Sequence, residues 1–170
     1  MDIEPKKVPR SIPVLIVLLL AIMYSYAAFI DQPAPEKCVK EFYSAYFNRD
    51  YDKVAEQLSV FWSANFLPGY EGYSSAQLLE NRDEIVKHTA ETLADLEKNR
   101  NVPQEISLEI LKDYTQEGQY SALVAYSFKE GEVPKGMELA ILIKESGEFK
   151  IFNLAPINLN MLEQIKNINI

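Results

Sequence analysis

The sequence predicts an α+β fold: an N-terminal transmembrane helix, then three helices packed on a curved four-stranded antiparallel sheet. Three observations carry this. An uncharged, almost wholly apolar run covers Ser11 to Ile30. From Pro35 to Leu96 the apolar positions recur every three or four residues, the helical period. From Ile106 onward they alternate, the period of strands.

The apolar run comes first in the chain. At 1.5 Å per residue, a helix of about 20 residues spans roughly the 30 Å hydrocarbon core of a bilayer. Lys6, Lys7 and Arg10 precede it, and Asp31 and Glu36 follow it. Basic residues stay on the cytoplasmic side, which places residues 1–10 inside as a tail and everything after Asp31 outside. Pro13 falls in the first turn, where its missing N–H costs little. Tyr24 and Tyr26 suit an interfacial aromatic belt. A second reading stays open: Ser25-Tyr26-Ala27 has the small-residue spacing of a signal-peptidase site, giving a secreted chain after cleavage near Ala27. The length of the run favours the anchor at 11–30. Residues 31–35 (DQPAP) read as a short stiff linker, and 36–170 as one extracytoplasmic domain.

Within that domain Pro35 suits a first helical turn, and Val39, Phe42, Tyr43, Tyr46 and Phe47 form one apolar stripe. Asn48-Arg49-Asp50 interrupts it. Asp50 can cap a second helix carrying Val54, Leu58, Phe61 and Trp62. A loop rich in aromatics and glycine follows, from Phe66 to Tyr73. Ser74 opens a third helix with Gln77 at the capping-box position. Leu78, Leu79, Ile85, Val86, Leu93 and Leu96 give that helix a buried face, and Glu80, Asp83, Glu84, Glu91, Asp95 and Glu97 a solvated one. Asn99-Arg100-Asn101 and Pro103 end it.

The first strand carries Ile106, Leu108 and Ile110, and Gln116-Glu117-Gly118 reads as a turn. In the next strand Tyr120, Ala122, Val124, Tyr126 and Phe128 share a face. Leu123 and Ala125 make the other face apolar too, which marks a central strand. Glu130 to Gly136 reads as a loop before Met137, Leu139, Ile141 and Ile143. Ser146-Gly147 makes a tight hairpin into Phe149, Ile151 and Phe152. A short C-terminal helix with Asn160 as its cap would bury Leu162 and Ile165.

Composition narrows the partners. The formal net charge is −8, and the tail holds three basic and two acidic residues, which leaves about −9 on the remainder. An acidic domain repels phosphate backbones, so nucleic acid is excluded as a partner. The single cysteine permits no intrachain disulfide. Cys38 sits beside Val39 and Phe42 on an apolar face and reads as a buried thiol. Ala34-Pro35-Glu36-Lys37 before it is no lipobox.

The segment from Glu41-Phe42-Tyr43 to Asn48-Arg49-Asp50-Tyr51-Asp52-Lys53-Val54, with Leu58 and the closing Gly147-Glu148-Phe149-Lys150-Ile151, resembles the nuclear transport factor 2-like, or cystatin-like, superfamily. Many members have a polar break followed by "Asp-Tyr-x-x-Ala/Val", and many end with "Gly-x-Trp-Lys-Ile"; here phenylalanine replaces that tryptophan. The resemblance covers nearly all of Pro35 to Pro156. It implies a cone-shaped fold with a cavity between helices and sheet, and it is nearly silent on function.

Three functions fit such a chain. The favoured one is a non-catalytic, membrane-anchored binding or assembly module of an envelope complex, with a protein partner there and a homodimer through the sheet face as a further possibility. Superfamily members with one N-terminal span include a structural component of type IV secretion systems. The second is a receptor for a small apolar ligand in the cone cavity. The third is an acid/base enzyme of the ketosteroid isomerase or SnoaL-like type, for which His88, Tyr46, Tyr114 and Tyr126 are the candidates. His88 points away from the buried stripe of its helix. No carboxylate pair, nucleophile triad, metal cluster or phosphate loop appears, so neither a metal nor another cofactor is expected. Trp62, Phe66, Tyr70 and Tyr73 are the candidate binding residues. They either present a contact surface or close the open end of the core.

Overall fold

A computed structural model describes residues 17–20, 35–100, 106–168 and 170. The chain divides into two compact units, Met1–Pro33 and Ala34–Ile170. In the first, residues 17–20 are helical and exposed. The rest of the expected span at 11–30, the tail at 1–10 and the linker up to residue 34 lie outside the described residues. Among the described residues no helix is long and apolar enough to cross a membrane.

The second unit is α+β. Helix α1 (Pro35–Phe47) opens at the last residue of the expected linker and buries Cys38, Val39, Phe42, Tyr43 and Ala45. It stops where Arg49 adopts a left-handed φ of 58°. Asp50 caps α2 (Tyr51–Gln57) by accepting from the Lys53 N–H. The expected second helix is in fact two. Leu58 turns extended and forms a parallel bridge with Ile151, and the Ser59 N–H donates to the Ile151 carbonyl at 2.9 Å. Ser59 then caps α3 (Val60–Phe66). Sheet pairing outcompetes helix continuation at this point.

The expected third helix also divides. Ser74 and Gln77 form the full capping box of α4 (Ser75–Glu80), and Asn81 separates it from α5 (Arg82–Glu97). The break interrupts the apolar stripe, so Leu79 is exposed and α4 buries Leu78 alone. At the far end of α5 the roles of two neighbours are reversed: Leu96 is 69 % exposed, while Glu97 is buried. Glu97 accepts from the Tyr46 hydroxyl at 3.1 Å and pairs with Arg100 at 2.8 Å, which removes the main cost of burying it.

The sheet is an antiparallel meander in the order β1 (Ile106–Ile110), β3 (Ser121–Glu130), β4 (Val133–Glu145), β5 (Glu148–Ile157). A fifth, two-residue strand, β2 (Gln116–Glu117), pairs with β3 where a turn was expected. The loop expected at 130–136 is also strand apart from a tight connection at Gly131. Pro134 is tolerated there because β5 pairs with β4 only from Met137 onward, leaving no ladder bond on that side to lose. Register shifts between Phe128 and Lys129 and between Ile141 and Leu142 bend the sheet. Phe152, the extra residue at the second shift, is exposed. Ser146 and Gly147 both take positive φ, as a two-residue hairpin of the expected type requires.

Both sheet faces are covered. Ala122, Val124, Tyr126, Ala140, Leu142 and Ile151 pack against α1. On the other face Leu123, Ala125 and Ile157 pack against Leu162 and Ile165 of the C-terminal helix α6 (Leu159–Ile165). Its cap is Asn158 rather than Asn160: the Asn158 side chain accepts from the Met161 N–H at 3.1 Å. Cys38 is buried as expected, and desolvation pushes its thiol up to about 12.

One carboxylate joins the two layers. Glu145, at the end of β4, is buried and lies 2.5 Å from the Ser59 hydroxyl and 2.8 Å from an Arg82 guanidinium nitrogen. Arg82 also donates to the Glu56 carbonyl. Glu145→Ala should lower unfolding free energy by about 3 kcal/mol, the lower end for a broken buried pair because Arg82 is partly exposed. Urea unfolding followed by circular dichroism checks this. A change below about 0.5 kcal/mol, the ordinary size of a surface substitution, would contradict the role.

A cavity between the first helix and the sheet

The bend of the sheet holds β3 and β4 away from the end of α1, and a cavity of about 680 Å³ opens between them. Phe42, Tyr46, Phe47 and Phe128 supply aromatic walls, and Leu154 and Pro156 of β5 close the far side. Gly136 stands opposite Phe128 in the ladder and shares its face with Glu138 and Ala140. It contributes no side chain, and a Cβ built on it would meet nothing within 4 Å. That missing side chain is part of the space.

At the base of the cavity is a polar triangle. The Tyr43 hydroxyl donates to Glu138 Oε2 at 2.8 Å, and the Tyr126 hydroxyl donates to the same oxygen at 2.7 Å. The two hydroxyl oxygens are 2.9 Å apart. Tyr126 and Glu138 are direct cross-strand partners, and Tyr43 reaches them from α1. The rings of Tyr43 and Tyr126 meet Phe128 edge-on, with centroids 5.0 and 5.5 Å away, and this packing fixes the phenols in place. Burial pushes both phenols well above the ordinary tyrosine range; for Tyr126 the neighbouring Tyr43 adds to this, and for Tyr43 the charge of Glu138 does. Both are therefore neutral donors at any physiological pH, and both hydrogens are spent on Glu138.

Two more charged groups reach the cavity mouth, each already paired. Arg100 is held by Glu97, and Lys135 by Glu130. At the base of the cavity the open hydrogen-bonding capacity is the acceptor capacity of Glu138. Among the described residues, nothing donates to Glu138 Oε1 and no cation pairs with Glu138.

The residues singled out in the sequence fall elsewhere, with two exceptions. Tyr46 lines the cavity, and Tyr126, fully buried behind it, bonds the lining residue Glu138. Tyr114 is on the opposite sheet face, donating to Glu163 at 3.1 Å under the Lys166 ammonium. His88 is exposed on α5, with Nδ1 2.6 Å from the Tyr70 hydroxyl. The four loop residues form two pairs outside this cavity: Trp62 with Phe66 at 4.7 Å between centroids, and Tyr70 with Tyr73 at 5.5 Å. Tyr70 is buried with Val60, Leu67, Leu78 and Ile85, whereas Phe66 and Tyr73 are 37 % and 41 % exposed. Trp62 packs on the main core. In the sequence Tyr43 is one more aromatic of the α1 stripe, and nothing next to Glu138 marks it as a site residue. The available signal was a carboxylate at an inward position of a central strand, in phase with Ala140 and Leu142.

The raised phenols set the alkaline behaviour. A folded state that holds phenol protons more tightly than the unfolded chain keeps its full stability below the ordinary tyrosine value of about 10 and loses it as pH rises further. The Cys38 thiol acts in the same sense from its ordinary value of 9.0 upward. Stability should therefore fall steeply above pH about 10. A Tyr43→Phe, Tyr126→Phe double variant should show a shallower fall. Urea titrations from pH 8 to 11 measure both, and equal slopes in the two proteins would contradict the assignment.

No protein-family model, curated protein or solved structure matches this chain.

Proposed function

We propose that this chain is a non-catalytic, membrane-anchored binding module whose extracytoplasmic domain, of the cone-shaped cystatin-like type, holds a small, largely apolar molecule between α1 and the sheet. The cavity carries the proposal. Its volume of about 680 Å³ is within the range of small-molecule sites, and it combines aromatic walls with a few convergent polar groups at one end. The two phenols hold their protons too tightly to exchange them near neutral pH, which supports their role as fixed donors that orient Glu138. The apolar run at 11–30, with basic residues only before it, supports the anchor and its orientation. A protein partner in the envelope is compatible with this reading, and the exposed Phe66 and Tyr73 offer aromatic surface for it.

Two experiments test the proposal. Gly136 has no positive φ, and its Cβ direction is open, so Gly136→Leu should fill the cavity without unfolding the domain. Scanning calorimetry of the full chain in phosphatidylcholine nanodiscs should show apolar small molecules raising Tm of the natural protein and not of Gly136→Leu. Ligand at a hundred times Kd contributes about 2.7 kcal/mol. Equal responses in both proteins would remove the cavity as a binding site. For the orientation, protease added to intact protoplasts should degrade 35–170, and full protection would reverse the assigned topology.

A further inference from the structure

We infer that the cavity selects an organic cation: a small apolar amine whose ammonium sits on Glu138 Oε1. This rests on the cavity being a binding site and goes on to name the ligand's chemistry. Three observations converge on it. Glu138 is a carboxylate in a largely apolar cleft, and among the described residues it has no cationic partner. Its Oε2 is saturated by two phenol hydrogens, which fixes the carboxylate's orientation and leaves Oε1 without a donor. The walls are the rings of Phe42, Tyr43, Tyr46, Phe47 and Phe128, whose faces attract a cation within about 6 Å.

The alternatives fit less well. A carboxylate or phosphate ligand would find both phenol hydrogens already committed and would be repelled by Glu138. A neutral alcohol could donate a single hydrogen to Oε1. An ammonium also donates to Oε1, and it adds a full positive charge beside an unpaired carboxylate in an apolar cleft, where the Coulomb attraction exceeds its value in water. Arg100 and Lys135 at the mouth would oppose a cation if they were unpaired. Their partners Glu97 and Glu130 offset them, which leaves the charge of Glu138 unbalanced. The chain's overall charge of −8 draws cations towards the domain.

The test uses three molecules of one shape: 1-naphthylmethylamine, 1-naphthalenemethanol and 1-naphthoate. Each is titrated calorimetrically into the full chain in phosphatidylcholine nanodiscs, with the Gly136→Leu protein in the same nanodiscs as the reference for partitioning into lipid. The amine should bind at least about tenfold tighter than the alcohol, a difference of 1.4 kcal/mol, and the acid should not bind. Glu138→Gln keeps the shape and an acceptor for the phenols. It should bring the amine down to the alcohol's affinity or below, because the charge that favours the ammonium is gone and an amide N–H stands in place of Oε1. An amine that binds no better than the alcohol in the natural protein overturns the cation selectivity and leaves the cavity standing. If none of the three binds above the Gly136→Leu reference, the cavity reading fails as well. If Glu138→Gln does not fold, the amine-to-alcohol ratio in the natural protein still decides.

Discussion

The layers of this domain are held in register by one buried carboxylate. Glu145 ends β4 on the helix side of the sheet, and its two oxygens take the Ser59 hydroxyl and the Arg82 guanidinium. Those contacts bring the start of α3 and the start of α5 to the same point of the sheet. The neighbouring bridge between Leu58 and Ile151 fixes the end of α2 there too. Isolated in an apolar layer, such a carboxylate would be costly; with a partly exposed arginine and a capping serine it is satisfied and specific. The breaks in the helical layer have their physical origin here, because a helix running through Leu58 and Ser59 would have neither the strand pairing nor the cap.

Curvature does the rest. The shift at Phe128/Lys129 bends β3 against β4 at the end farthest from Glu145, and β5 pairs with β4 only from Met137 onward. The helix layer is anchored at one end of the sheet, and the cavity opens towards the other. Its base is made from opposite ends of the sequence: Tyr43 belongs to the first helix of the domain and Glu138 to a strand 95 residues later. Their hydrogen bond also ties α1 to β4, so the polar triangle both supports the fold and defines what the cavity can recognise.

Burial gives the triangle its chemical character. Two desolvated phenols stay neutral, and their hydrogens are directed at Glu138 Oε2, so neither phenol offers a donor to the cavity. A second tyrosine cluster behaves differently. Tyr70 buries its ring among Val60, Leu78 and Ile85 and bonds the exposed His88 at its rim. That arrangement closes the small core under α3 to α5, and it leaves Phe66 and Tyr73 as the exposed aromatics of the segment.

The α+β class, the antiparallel meander, the Asp50 and Ser74 caps, the Ser146-Gly147 hairpin and the buried Cys38 were all legible in the sequence, because each depends on residues a few positions apart. Local periodicity cannot register a partner a hundred residues away. The helix breaks at Leu58 and Asn81, the exchange of Leu96 for Glu97 in the interior, the short β2 and the covering of the second sheet face by α6 were therefore decided by tertiary contacts. The same holds for the cavity. Tyr43 looks like any stripe aromatic, and Glu138 like a misplaced charge, until β3, β4 and α1 meet. Periodicity gave the faces; only long-range packing could decide which polar groups on those faces would bond one another and which would line an opening.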